Sequence, residues 1–165
     1  MYSLNAPVPA SVARLAGTLA SEIPGARPRE RDKHTLVIKR LGGRDDHLVS
    51  SVREAIAGTE PFEAAVTGLD LFAEPTTGAG PVIYLAVQSP ALTALHSQLC
   101  DTFPPVPGIE GDAYVPHITI ARGGDLETAR RLADRSIDPH RFEIETLVVW
   151  DAHRDTTAAR FSLPR

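Results

Sequence analysis

Apolar residues at Val12, Leu15, Ala16, Leu19, Ala20 and Ile23 recur with the period of one helical face and predict a helix over residues 9–21. The segments flanking it read as strands over 2–8 and, after a Pro/Gly/Arg loop, 34–41. Gly42 and Gly43 end the second strand. Asp45 stands where an N-cap belongs, before a helix carrying Leu48, Val49, Val52, Ala55 and Ile56, and Gly58 stands where that helix stops. A strand over 62–71 completes the first half. The pattern then restarts: a strand over 82–87, a helix over 90–100 with Leu92, Leu95 and Leu99 on one face, a Pro-rich loop over 103–116 and a strand over 117–122. Gly123 and Gly124 end that strand, Asp125 caps a helix running through Ala129, Ala133 and Ile137, and residues 142–150 read as one long closing strand. A last strand is expected at 158–163.

The order β-α-β-α-β thus occurs twice, and landmarks tie the copies together. Tyr2 answers to Tyr84, Pro9-Ala10 to Pro90-Ala91, Gly43 to Gly124 and Phe62-Glu63 to Phe142-Glu143, at offsets of 82, 81, 81 and 80. Four landmarks in order at nearly one offset indicate an internal duplication. The expected fold is α+β: one two-lobed domain with antiparallel sheets around a central cleft. Lobe 1 covers about 1–73 and lobe 2 about 81–165, with strand exchange between them allowed. Each half is too small to bury a sheet face alone, so the two should pack about a pseudo-twofold axis.

A length of 165 residues with 42% hydrophobic content suits one compact domain. A net charge of −4 argues against non-specific coating of a polyanion, so any nucleotide must be held locally. The single cysteine, Cys100, excludes an intrachain disulfide and a multi-thiolate zinc site. With no basic leader and no run of about 18 apolar residues, the expectation is a cytoplasmic protein without membrane insertion. No Walker loop, dinucleotide fingerprint or nucleophile elbow is present.

Candidate chemistry lies on the strands that precede the two Gly-Gly pairs. One reads Lys33-His34-Thr35-Leu36-Val37-Ile38-Lys39, the other Pro116-His117-Ile118-Thr119-Ile120-Ala121-Arg122. Strand residues two apart share a face, so His117 and Thr119 are presented together. The segment from Tyr114 to Arg122 resembles the second His-x-Thr-x signature of the two-histidine phosphoesterases, the group that includes LigT-like 2′-5′ RNA ligases. The resemblance covers essentially the whole chain, because that family is itself a bilobal duplication with one motif per lobe. The first motif is degenerate: Thr35 directly follows His34, and Leu36 stands where the second hydroxyl belongs.

The resemblance implies a phosphodiesterase without metal or other cofactor, acting on 2′,3′-cyclic phosphate RNA ends, 2′-5′ linkages or a related small cyclic nucleotide. One histidine would take a proton from the attacking oxygen and the other would give one to the leaving oxygen; an unperturbed pKa of about 6.5 suits both roles. The catalytic candidates are His34, His117, Thr119 and Thr35. Arg122 matches an arginine that often follows the family motif, although its parity sets it on the face opposite His117 in a regular strand. Lys39 lies five positions after His34 as Arg122 does after His117. Tyr114 and Phe103 are candidates to stack a base, weighed against plain packing.

Aligning histidine on histidine, at an offset of 83, pairs His34 with His117. Aligning threonine on threonine sets Lys33 against His117. The first register keeps the proton relay, with a bulge invoked to bring Thr35 round to the same side. His96, on an apolar helix face, reads as a satisfied core histidine. No histidine has metal-ligand spacing with another. A monomer that meets an RNA end or small cyclic nucleotide is the expected assembly. Two other readings remain at this stage: a binding module of the same fold with an eroded first motif, and an unrelated α+β protein in which the motif is accidental.

Overall fold

The computed structural model describes residues 1–30, 34–43 and 46–165, which hold nine strands and four α-helices. The strands are β1 (Tyr2–Pro7), β2 (Arg27–Pro28), β3 (Thr35–Gly42), β4 (Phe62–Phe72), β5 (Val82–Gln88), β6 (His117–Arg122), β7 (His140–Ile144), β8 (Thr146–Asp151) and β9 (Thr156–Ser162). The helices are α1 (Ala10–Ala20), α2 (Leu48–Ala55), α3 (Pro90–Thr102) and α4 (Leu126–Ala133). Ser89 caps α3 by accepting from the Leu92 N–H, and Asp125 caps α4 by accepting from the Thr128 N–H. The cap expected at Asp45 lies outside the described residues. No helix among the described residues is long and apolar enough to cross a membrane.

Two antiparallel sheets form, in the orders β3-β1-β8-β9 and β2-β6-β5-β4-β7. Each mixes the halves of the chain: β4 of the first half pairs with β5 of the second, and β8 of the second pairs with β1 of the first. The closing strand expected over 142–150 is two strands. It breaks at Glu145, with β7 bonded to β4 in one sheet and β8 bonded to β1 in the other. Local pattern sees a continuous run there, because an extended chain that changes sheets keeps its alternation. The pair β4-β7 sets Phe62 against Ile144, Glu63 against Glu143 and Ala64 against Phe142. The repeated Phe-Glu dipeptides therefore meet antiparallel, with Glu63 opposite Glu143.

Alternation decides what is buried. Leu4, Ala6, Leu36, Ile38, Leu147 and Val149 of one sheet and Leu85, Ile118 and Ile120 of the other are fully buried and join one apolar cluster with Val12, Leu92 and Leu99 of the helices. The opposite faces of β3 and β6 are left half-buried, and these two strands approach each other from different sheets. Gly124 sits in this region at φ +85°, where a Cβ would come 2.9 Å from the Ala26 nitrogen and the Pro24 carbonyl oxygen. Only glycine allows the end of β6 to pack so closely on the 24–26 turn.

Candidate active site

The strands β3 and β6 are copies of one bulged strand. In β3, Lys39 pairs with Leu4 and Val37 with Asn5, so Ile38 is the extra residue. In β6, Ala121 pairs with Ile83 and Thr119 with Tyr84, so Ile120 is the extra residue. A bulge leaves its residue outside the ladder. Both carbonyls find donors elsewhere: His96 Nδ1–H donates to the Ile38 oxygen at 2.7 Å, and the Arg29 N–H to the Ile120 oxygen at 2.9 Å. Overlaying the bulges sets Thr35 on His117, Val37 on Thr119, Arg40 on Arg122 and Gly42 on Gly124. The burial alternation of Thr35–Arg40 repeats that of His117–Arg122 position for position, and Gly42 (φ +80°) and Gly124 (φ +85°) share a left-handed backbone. The bulge also removes the parity problem of Arg122, because one extra residue returns it to the face of His117.

A hollow of about 150 Å³ lies between these strands, walled by Val37 and Arg40 of β3, His117 and Arg122 of β6, Phe72 of β4, and residues of the 74–77 and 108–115 loops. His117 is set by its surroundings. Its Nδ1–H donates to the Val115 carbonyl at 2.7 Å, which leaves Nε2 as the atom with a free lone pair. The ring stands edge-on to Phe72 at 5.3 Å and tilted against Tyr84 at 5.1 Å, and those two rings are themselves 4.4 Å apart. Burial holds the imidazole below its ordinary pKa, with Arg40, Arg122 and Arg29 acting in the same direction and the Val115 hydrogen bond opposing them. Burial and Asp70 push Tyr84 up to about 12, so it remains a neutral phenol. Arg122 donates to the Thr77 carbonyl at 3.1 Å, and its guanidinium is held below its ordinary range by burial, Arg29 and Arg40. Arg40 and Arg122 thus bring two cations to one hollow, Arg40 also lying 3.8 Å from Glu110, while Arg29 lines the adjoining cavity. Thr119 lies two residues from His117 but borders an adjoining cavity of about 450 Å³, with Arg27, Arg29 and Arg122.

The remaining sequence candidates fall elsewhere. His34 is 4% exposed and lines a separate cavity with Asn5, Thr35 and Trp150. Thr35 borders that cavity rather than the His117 hollow. The expected register at an offset of 83 was thus one residue out, and on a strand a slip of one residue turns every side chain to the other face. Lys33 lies outside the described residues. Lys39 is fully buried, its Nζ 2.5 Å from Glu110 Oε2 and bonded also to the Arg40 and Pro104 carbonyls. It belongs to the bulge's inner face and is closed to ligand. Tyr114 does wall the hollow, but its hydroxyl donates to the Val37 carbonyl at 2.7 Å and one ring face stacks on His96 at 3.8 Å. Burial, with Glu110 adding to it, raises the Tyr114 phenol well above its ordinary value. Phe103 packs in the core. His96 is a satisfied core histidine, its Nε2 accepting from the Gly111 N–H at 3.0 Å. Arg40, Phe72 and Tyr84 were missed. The gapless overlay of residues 35–42 on 117–124, which matches Ile, Arg and Gly at three positions, was the signal that could have revealed Arg40.

A comparison with curated protein sequences finds no match. Among solved structures, TT0787 of Thermus thermophilus superposes with a TM-score of 0.71 at 18% identity, covering 98% of this chain and 97% of that one. E. coli LigT complexed with 3′-AMP gives 0.67 at 16% identity, covering 99% and 98%. Kluyveromyces marxianus Usb1 with uridine monophosphate gives 0.58 at 12%, covering 99% and 96%. At such identities these likenesses establish the fold. The model of the 2′-5′ RNA ligase superfamily matches residues 7–156, nearly the whole sequence, and the chain belongs to that superfamily.

Proposed function

We propose that the chain is a phosphoesterase that holds a nucleotide-type phosphate ester against Arg40 and Arg122 and uses His117 as its one protein base to open 2′,3′-cyclic phosphates or cleave 2′-5′ linkages. Superfamily membership supports a phosphoesterase-type function. The observation that carries the reading is that His117 Nδ1–H is committed to the Val115 carbonyl while the neutral ring shares the hollow with Arg122 of its own strand and Arg40 of β3. Nε2 takes the proton of an attacking water, whose oxygen bonds to phosphorus. The bond from phosphorus to the 2′ or 3′ oxygen breaks, and that oxygen is protonated from solvent. Arg40 and Arg122 hold the charge on the non-bridging oxygens, and the Thr119 hydroxyl, in the adjoining cavity that Arg122 also lines, donates to a phosphate that reaches across the two.

Protonation by solvent is the weak step. General acid catalysis by a positioned group contributes about 10²–10⁴-fold, and the bulge overlay puts Thr35 where a second histidine would stand. The two-histidine relay expected from the sequence is thereby reduced to one histidine, and turnover should be slow. That same observation favours a second reading, in which the cleft holds an RNA end or nucleotide without turning it over.

Incubating the protein with a short RNA ending in a 2′,3′-cyclic phosphate, in excess chelator, tests both. A phosphomonoester end that forms slowly and disappears in His117→Ala supports the first reading. Saturable binding with no product at any enzyme concentration selects the second.

A further inference from the structure

On the same face of the sheet β3-β1-β8-β9 as Val37 lies a cavity of about 300 Å³, lined by Asn5, Pro7, His34, Thr35, Trp150 and Arg160 among others. It adjoins the hollow directly, because Asn5 is the cross-strand partner of Val37 and adjacent strands are only about 4.8 Å apart. Two features make it more than a gap between side chains. Asn5 is 6% exposed, yet its Oδ1 meets no donor among the described residues. A buried amide oxygen without a partner loses its hydration with nothing in return, so the position is poorly explained as packing. The oxygen is thus an acceptor left for whatever enters. Trp150 pairs with the small residues Ser3 and Thr157 across its strand and is only half-buried, so its indole borders the cavity without being covered.

We infer that this cavity seats the nucleobase of the nucleotide whose phosphate lies in the hollow, with Trp150 stacking on the base and Asn5 bonding its edge. The inference rests on the nucleotide reading of the cleft. A base fits the surroundings because every base has a flat face for the indole and presents an N–H to an amide oxygen, from a ring imide or an exocyclic amine. Arg160, exposed at the rim, adds a cation that can lie over the same ring. Asn5 and Trp150 are positioning and selectivity residues here, remote from the reacting bonds.

Trp150 is the chain's one tryptophan, so its emission reports on this cavity. Adenosine 3′-monophosphate and uridine 3′-monophosphate, which are not turned over, are titrated beside inorganic phosphate, with affinities measured by calorimetry. The nucleotides should quench Trp150 and bind tighter than phosphate, while phosphate alone should leave the emission unchanged. Trp150→Ala and Asn5→Leu should each weaken nucleotide binding about 10-fold or more, given about 1–3 kcal/mol per stacked base, and leave phosphate binding within about two-fold. Should Asn5→Leu unfold by circular dichroism, Thr157→Phe at the exposed rim fills the cavity from outside and must weaken the nucleotides alike. Nucleotides that bind no better than phosphate and leave Trp150 unquenched overturn the base seat and leave the phosphate cleft standing. Phosphate that fails to bind, or binds independently of Arg122, overturns the cleft reading. A nucleotide quench that still depends on Asn5 would then uphold the seat alone.

Discussion

Thr35 occupies, on its bulged strand, the place that His117 holds on the other, and Val37 answers in the same way to Thr119. On the proposed reading one half of a duplicated site carries a base, and the other, whose Thr35 borders the adjoining cavity, carries a hydroxyl and an isopropyl group. The double substitution Thr35→His with Val37→Thr rebuilds the missing half. It should raise turnover of a 2′,3′-cyclic phosphate by at least about 10-fold and at most about 10⁴-fold, the span that a positioned acid contributes. Single-turnover rates of the two proteins decide it; no gain would show that the strands do not converge on one phosphate.

His117→Ala should abolish turnover even at saturating substrate, while His34→Ala should leave the saturated rate near normal, since His34 lines the neighbouring cavity and not the hollow. Both variants should keep the circular dichroism of the parent. Loss of activity in His34→Ala with retention in His117→Ala would reverse the assignment.

The pH profile follows from the direction of the His117 shift. Burial and three arginines hold the imidazole below its ordinary 6.5, and in the proposed mechanism the free base is the working form. Turnover should rise with pH through a midpoint under 6.5 and then stay level to at least about pH 8, in place of the bell that two histidines give. A cyclic diester is the substrate of choice because it carries one negative charge throughout. A profile that falls again near neutrality would reveal a second titrating group.

Arg40→Met and Arg122→Met should each weaken phosphate-ester binding by about 10-fold or more, since hydrogen bonds to charged groups are worth about 1.5–3 kcal/mol. The binding should also lose part of its salt dependence. Their effect should exceed that of Arg160→Met on inorganic phosphate. Calorimetry at two salt concentrations reads both quantities.

Glu110 holds the loop to β3: it accepts from Lys39 Nζ, from the Arg40 N–H at 2.6 Å and from the Val106 N–H at 2.9 Å. Burial raises its pKa, but the bond from Lys39 and those backbone donors outweigh it and leave the carboxyl below its ordinary 4.5. A depressed carboxyl stabilises the fold above its unfolded pKa and loses that contribution as pH falls through the folded one. Glu110→Ala leaves Lys39 buried without a counter-charge and should cost about 3–5 kcal/mol. Urea melts at pH 7 should show this loss, and Glu110→Gln should flatten the dependence of stability on pH below about 4.5.

Element order, the duplication and the strand that carries His117 were legible in the sequence because they rest on local rules. A period of 3.6 marks a helix, a period of 2 marks a half-buried strand, and Gly-Gly pairs mark the ends. The Asp125 cap was readable for the same reason. What each strand residue faces was not, because direction depends on register, and register is fixed by a partner far along the chain. A bulge at Ile38 and another at Ile120 moved Arg40 and Arg122 into the cleft, turned Lys39 inward to Glu110, and left His34 in the cavity beside Asn5. The break at Glu145 likewise exists only because two sheets compete for one extended run. Matching histidine to histidine weighed chemistry above backbone geometry. The geometry prevails because an inward-facing slip would bury Arg40 and expose Leu36 and Ile38, a cost that no side-chain resemblance offsets.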